Sequence, residues 1–147
     1  MKLLRYGPIG EERPGLLDAD HRIRDLSAHC RDIDLSADPD LLDRLAGVDV
    51  ESLPVVEGSP RLGPPLRHVG KFIAIGLNYR DHAIESNLPI PTEPVIFTKA
   101  TSCIVGPDDD IVLPPGSMKT DWEVELGIVI GRRASHVPID QARAHVA

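Results

Sequence analysis

Leu77-Asn78-Tyr79-Arg80-Asp81-His82-Ala83-Ile84-Glu85 decides how this chain is read. The stretch follows an apolar run, Phe72 to Ile75, closed by Gly76. An apolar run of this length bounded by glycine predicts a buried-type strand over Lys71–Ile75. The polar residues after it predict a helix from about Arg80 to Ser86, ended by Asn87 with Pro89 and Pro91 beyond. His82 and Glu85 then stand three residues apart on one helix face. A carboxylate beside an imidazole fixes its tautomer and supports it as a general base. A surface helix with an incidental His–Glu pair would show the same spacing.

Downstream, Pro94 to Thr98 predicts another strand, with Lys99 at its end. Asp108-Asp109-Asp110 predicts a turn, and Ile111–Leu113 a short strand. Trp122 to Ile130 is the strongest strand signal. It alternates through Trp-Glu-Val-Glu-Leu and then becomes wholly apolar. On a strand, Glu123 and Glu125 share a face with Cα atoms about 6.5 Å apart, so both carboxylates can reach one ion. Carboxylate oxygens suit Mg²⁺, Mn²⁺ or Ca²⁺ better than zinc. The pattern Glu-x-Glu is common, and an amphipathic strand with Glu facing water accounts for it equally. Glu is a poor strand former, however, and two carboxylates beside a buried-type run need a partner charge. Lys99 could supply that charge or meet an anionic substrate.

Upstream, Lys2–Tyr6 predicts a strand. Asp18-Ala19-Asp20 predicts a hairpin turn between Gly15–Leu17 and Arg22–Arg24. Leu41, Leu42 and Leu45 predict a helix within Pro39–Ala46, ended by Gly47. Val50–Pro65 holds Pro54, Pro60, Pro64 and Pro65 and predicts a linker. The expected organisation is a small N-terminal α/β domain over 1–60 and a second domain over 61–147. The last predicted helix, Pro138–Val146, has no later element to pack on.

Composition agrees with an α+β, β-rich fold. Pro (14) and Gly (12) exceed their usual share, and with one Trp, two Tyr and two Phe the core must be aliphatic. Net charge is −7 without a Lys/Arg stripe, which argues against nucleic acid as a partner. Cys30 and Cys103 match no zinc or redox spacing and read as reduced packing residues. No apolar stretch suits a signal peptide or a membrane span, so the expected location is the cytoplasm. His21, His29, His68, His136 and His145 show no ligand spacing.

Three segments in order resemble the fumarylacetoacetate hydrolase family: Ile75 to Glu85, Glu93 to Lys99, and Asp121 to Gly127. The resemblance covers about residue 70 to the end. The N-terminal stretch resembles the small leading domain of bacterial members. The resemblance implies that residues 61–147 are the first part of a mixed β-sandwich roll in a protein that is commonly a homodimer. It implies a Mg²⁺ or Mn²⁺ ion held by Glu123, Glu125 and a third carboxylate, an Asp beyond this chain. It makes His82 the general base, Glu85 its orienting partner and Lys99 a further site residue, with Tyr79 and Arg80 placed to bind substrate. The implied activity is hydrolysis of a C–C bond in a 2-oxo acid such as an acylpyruvate or a dioxo-deoxy sugar acid. A lyase, either ureidoglycolate cleavage or 2-oxo acid decarboxylation, is the alternative within the family. A non-enzymatic half-domain or fragment that needs a partner chain is the alternative outside it. Some oxaloacetate-type decarboxylases carry Arg at the position of Leu77, which favours the sugar-derived or acylpyruvate class here.

Overall fold

The computed structural model describes residues 1–147, which divide into two compact units: Met1–His68 with Val105–Ala147, and Val69–Ile104. The first unit is built on an antiparallel sheet of β1 (Lys2–Tyr6), β2 (Arg13–Leu17) and β3 (Ile23–Asp25), in that order. Lys2 pairs with Leu17 and Tyr6 with Arg13, while Gly15 stands opposite both Leu4 and Asp25. Gly15 is there because the neighbours are too close for a side chain. A Cβ would lie 3.0 Å from the Arg24 carbonyl oxygen and 3.1 Å from Leu4 and Tyr6 side-chain carbons.

The predicted hairpin turn forms, and Asp18 builds it. Its Oδ1 accepts from the backbone N–H of Asp20 (3.0 Å) and of Arg22 (2.9 Å). Short acidic side chains stabilise turns by this substitution for backbone acceptors. Helix α1 (Leu41–Leu45) buries Leu41 and Leu45, one turn apart, against Leu16, Leu26, Ile33 and Leu53. These six aliphatic residues are the core, as the scarcity of aromatics requires.

Val50–Pro65, expected as a linker, is packed instead. A 3₁₀ turn at Val50–Ser52 opens it, Val55 bridges to Arg24, and Leu62 bridges to Tyr6. Val56 N–H donates to the Ile23 carbonyl (2.8 Å), and the Pro54 carbonyl accepts from Asp25 N–H (2.9 Å). Proline lacks a donor but keeps its acceptor, so a proline-rich stretch can still line a sheet edge.

Three further expectations fail in residues 105–147. Ile111–Leu113 and Trp122–Ile130 form no strand, although Ile130 bridges to Val146. Alternation makes a strand possible, but the ladder exists only where a neighbouring backbone supplies partners. Pro138–Val146 is a 3₁₀ helix over Ile139–His145 rather than an α-helix.

The second unit contains β4 (Phe72–Gly76), α2 (Arg80–Glu85) and β5 (Val95–Lys99). The strands pair antiparallel, Phe72 with Lys99 through Gly76 with Val95. Contrary to expectation, β4 is not a buried strand: Phe72, Ile73 and Ile75 are all exposed. An apolar strand is buried only when layers cover both of its faces, and this sheet has two strands. Few helices and antiparallel sheets make the fold α+β and β-rich. No helix is long and apolar enough to cross a membrane.

Asp18 gives the first unit an acid-sensitive point. Burial pushes its carboxyl up, but hydrogen bonds from the Arg22 backbone and from the Arg24 and Arg22 guanidinium groups outweigh this and hold it at about 2. The folded pKa lies below the ordinary 3.8, so the stabilisation is present above that value and is lost as pH falls toward about 2. Urea midpoints measured from pH 5 downward should therefore fall, and Asp18→Asn should flatten that fall while lowering the midpoint at neutral pH. An equal acid slope in both proteins would contradict the assignment.

Candidate active site

The turn from β4 into α2 places the His–Glu pair. Leu77, the first residue after β4, has a left-handed backbone with φ of 51°. This conformation costs a non-glycine residue about 1–2 kcal/mol. Tyr79 is the N-cap residue, extended at φ −109° and ψ 130°, and Arg80 opens the helix. Ala83 is fully buried and seats the short helix. The C-terminal end closes on Asn87, whose φ is 53°. Asn87 N–H donates to the Ile84 carbonyl (3.0 Å), and Leu88 N–H to that of Ala83 (2.9 Å). This paired closure around a left-handed Asn is the Schellman arrangement. The sequence signal for the helix end was therefore sound, whereas nothing in a leucine announces the left-handed turn before the helix.

Within α2, His82 Nδ1 lies 2.9 Å from Glu85 Oε1. An ionised carboxylate only accepts, so Nδ1 carries the proton and the neutral ring's lone pair falls on Nε2. Both side chains are substantially exposed, at 49% and 73%. The pair therefore contributes little to stability, and its consequence is orientation. Tyr79 and Arg80 are exposed at the start of the same helix. Lys99 ends β5, with Nζ 5.7 Å from the centre of the Phe97 ring, within cation–π range. His82, Glu85, Lys99, Tyr79 and Arg80 thus all belong to the second unit.

Glu123 and Glu125 belong to the first unit. Both are exposed, in a segment without regular structure, so the shared strand face expected for them is not formed. Two carboxylates one residue apart remain hard oxygen donors, and that chemistry fits Mg²⁺ or Mn²⁺. Nowhere do three or more His, Cys, Asp or Glu side chains gather in a group able to hold a metal ion. Glu123 and Glu125 belong to no such group.

Residues 71–147 match the family model described as fumarylacetoacetate (FAA) hydrolase, C-terminal. The match spans more than half of the chain, and the chain belongs to this family. A Burkholderia lata protein provisionally named a hydrolase is 60% identical over 146 residues, which are 98% of this chain and 51% of that protein. A similarly named Burkholderia cenocepacia protein is 59% identical with the same coverage. Among solved structures, a Mycobacterium smegmatis protein provisionally named HpcE superposes with a TM-score of 0.71 at 34% identity, over 100% of this chain and 52% of its own. A fumarylacetoacetate hydrolase from the psychrophile Exiguobacterium antarcticum does so with a TM-score of 0.78 at 30% identity, over 99% and 52%. The chain spans about half the length of the curated relatives it matches.

The left-handed turn at Leu77 is testable. Leu77→Gly should be neutral within about 1 kcal/mol, because lost strain offsets the flexibility gained by the unfolded chain. Leu77→Val should destabilise the second unit by about 1–2 kcal/mol, since β-branched residues avoid this region. Amide hydrogen exchange of β4 and α2 reads both. Equal protection in the two variants would contradict the conformation assigned to residue 77.

Proposed function

We propose that the protein carrying this chain hydrolyses a C–C bond in a 2,4-dioxo acid, of the acylpyruvate or dioxo-deoxy sugar acid class. The observation that carries the reading is the His82 Nδ1–Glu85 Oε1 bond of 2.9 Å within a family of hydrolases. Glu85 holds the imidazole in one tautomer and stabilises the imidazolium that forms when the ring takes a proton. His82 would take that proton at Nε2 from a water attacking the distal carbonyl carbon, C4. The new C–O bond forms there, the C3–C4 bond breaks, and its electron pair passes to C3 as the enolate of a 2-oxo acid. The imidazolium returns its proton to C3, so the products are a carboxylic acid and pyruvate or a substituted pyruvate. Water is the sole co-reactant, and no electrons are lost or gained overall.

Glu123 and Glu125 would hold Mg²⁺ or Mn²⁺ together with donors that these two residues do not supply. Such an ion would supply Lewis-acid stabilisation of the negative charge that develops on the substrate. Lys99 would pair with the substrate's negative charge, and Tyr79 and Arg80 would contact the substrate from the start of α2. Hydrolysis is favoured over a lyase reaction by the names of the Burkholderia relatives and of the Exiguobacterium antarcticum structure, which are those of hydrolases.

The test is loss of the enol absorbance of acylpyruvates incubated with the protein and Mg²⁺ or Mn²⁺. Turnover should give acid and pyruvate in equal amounts. His82→Ala should lower kcat about 10²–10⁴-fold, the usual worth of a positioned general base. Glu85→Gln should lower it less, because it leaves the base in place. Pyruvate formed with release of CO₂, or turnover undiminished in His82→Ala, would contradict the reading.

A further inference from the structure

Residues 105–147 have little regular structure, yet they belong to the same compact unit as the N-terminal sheet. Arg61 lies where the chain is about to leave that unit, and Asp109 lies just after it returns. Arg61 Nε donates to Asp109 Oδ1 (2.6 Å) and its Nη2 to Oδ2 (2.5 Å), a bidentate pair. The third nitrogen, Nη1, donates to Glu12 Oε1 (3.0 Å) and to the Gly7 carbonyl (3.2 Å). One guanidinium therefore joins the β1–β2 connection to the returning strand of chain. Asp109 in turn accepts from Gly106 N–H at Oδ2 (2.7 Å), which folds the turn around the ion pair. Gly106 is buried, and a Cβ there would collide with the Leu62 carbonyl oxygen. The two chain passages thus touch backbone to backbone beside the charges. The guanidinium also holds the Asp109 carboxyl below the ordinary carboxylate range.

We infer that Arg61 is a clasp: by gripping Asp109 it docks the returning segment, residues 105–109, onto the N-terminal sheet. Bidentate guanidinium–carboxylate pairs suit this task because they fix orientation as well as distance. Lysine, a point charge, would satisfy the charge without the orientation. Breaking the clasp leaves the sheet its own aliphatic core, so the effect is local.

The experiment is native-state amide hydrogen exchange on the full chain and on Arg61→Ala, Arg61→Lys, Asp109→Asn and the double variant Arg61→Ala/Asp109→Asn. Each single variant should speed exchange at Gly106 and Asp109 about tenfold or more, with Arg61→Lys rescuing only part of the loss. The double variant should exchange no faster than the faster single one, as expected for two halves of one interaction. Amides of β1–β3 should keep their protection. Unchanged exchange at Gly106 and Asp109 would overturn the inference, as would full rescue by lysine or additive effects in the double variant. Parallel loss of protection across β1–β3 would also overturn it, because Arg61 would then be part of the sheet's own stability rather than a clasp.

Discussion

Arg5 and Asp32 are charged and both almost fully buried, and the N-terminal unit has to be arranged around that fact. Arg5 Nε donates to Asp32 Oδ1 at 2.7 Å and Nη2 to Oδ2 at 3.1 Å, and Arg67 Nη1 adds a bond to Oδ2 at 3.1 Å. A buried charge without its partner is costly, so once β1 carries Arg5 inward, the chain after β3 must bring Asp32 to it. Asp32 adjoins Ile33, a core residue, and Arg67 ends the stretch that packs along the sheet. The ion pair therefore ties strand, core and the proline-rich passage into one unit. Arg24 and Asp18 repeat the device at the hairpin, with Arg24 also donating to the Leu53 carbonyl at 3.0 Å.

Most local elements were legible because each rests on chemistry within a few residues. The turn at Asp18 follows from an acidic side chain replacing a backbone acceptor. Helix α1 follows from leucines one turn apart, and the end of α2 from an asparagine that tolerates a left-handed backbone. The same locality explains the strands β4 and β5, both of which lie where apolar runs predicted them. What could not be read locally was partnership. Trp122–Ile130 has a strand's alternation and no ladder. Phe72–Ile75 has a buried strand's composition and lies exposed. Val50–Pro65 has a linker's composition and is packed. In each case the deciding factor is what lies across from the segment, and sequence spacing within the segment carries no information about that.

The candidate site divides along the same line. His82 and Glu85 are three residues apart on one helix, so their meeting is a local event and the expected hydrogen bond is formed. Glu123 and Glu125 were expected on one strand face, which depends on a pairing that is not made here. Their chemistry as hard oxygen donors is unaffected by this, because it belongs to the side chains. The family assignment rests on residues 71–147, a region that contains His82, Glu85, Lys99, Glu123 and Glu125.

The proposed chemistry depends on Glu123 and Glu125 acting as metal ligands. Calorimetric titration of the whole protein carrying this chain with Mn²⁺ and with Mg²⁺, beside its Glu123→Ala/Glu125→Ala variant, tests it most directly. Both ions should give a measurable heat of binding that the double substitution abolishes without unfolding the N-terminal sheet. Equal binding by both proteins, or none by the unsubstituted protein, would contradict it.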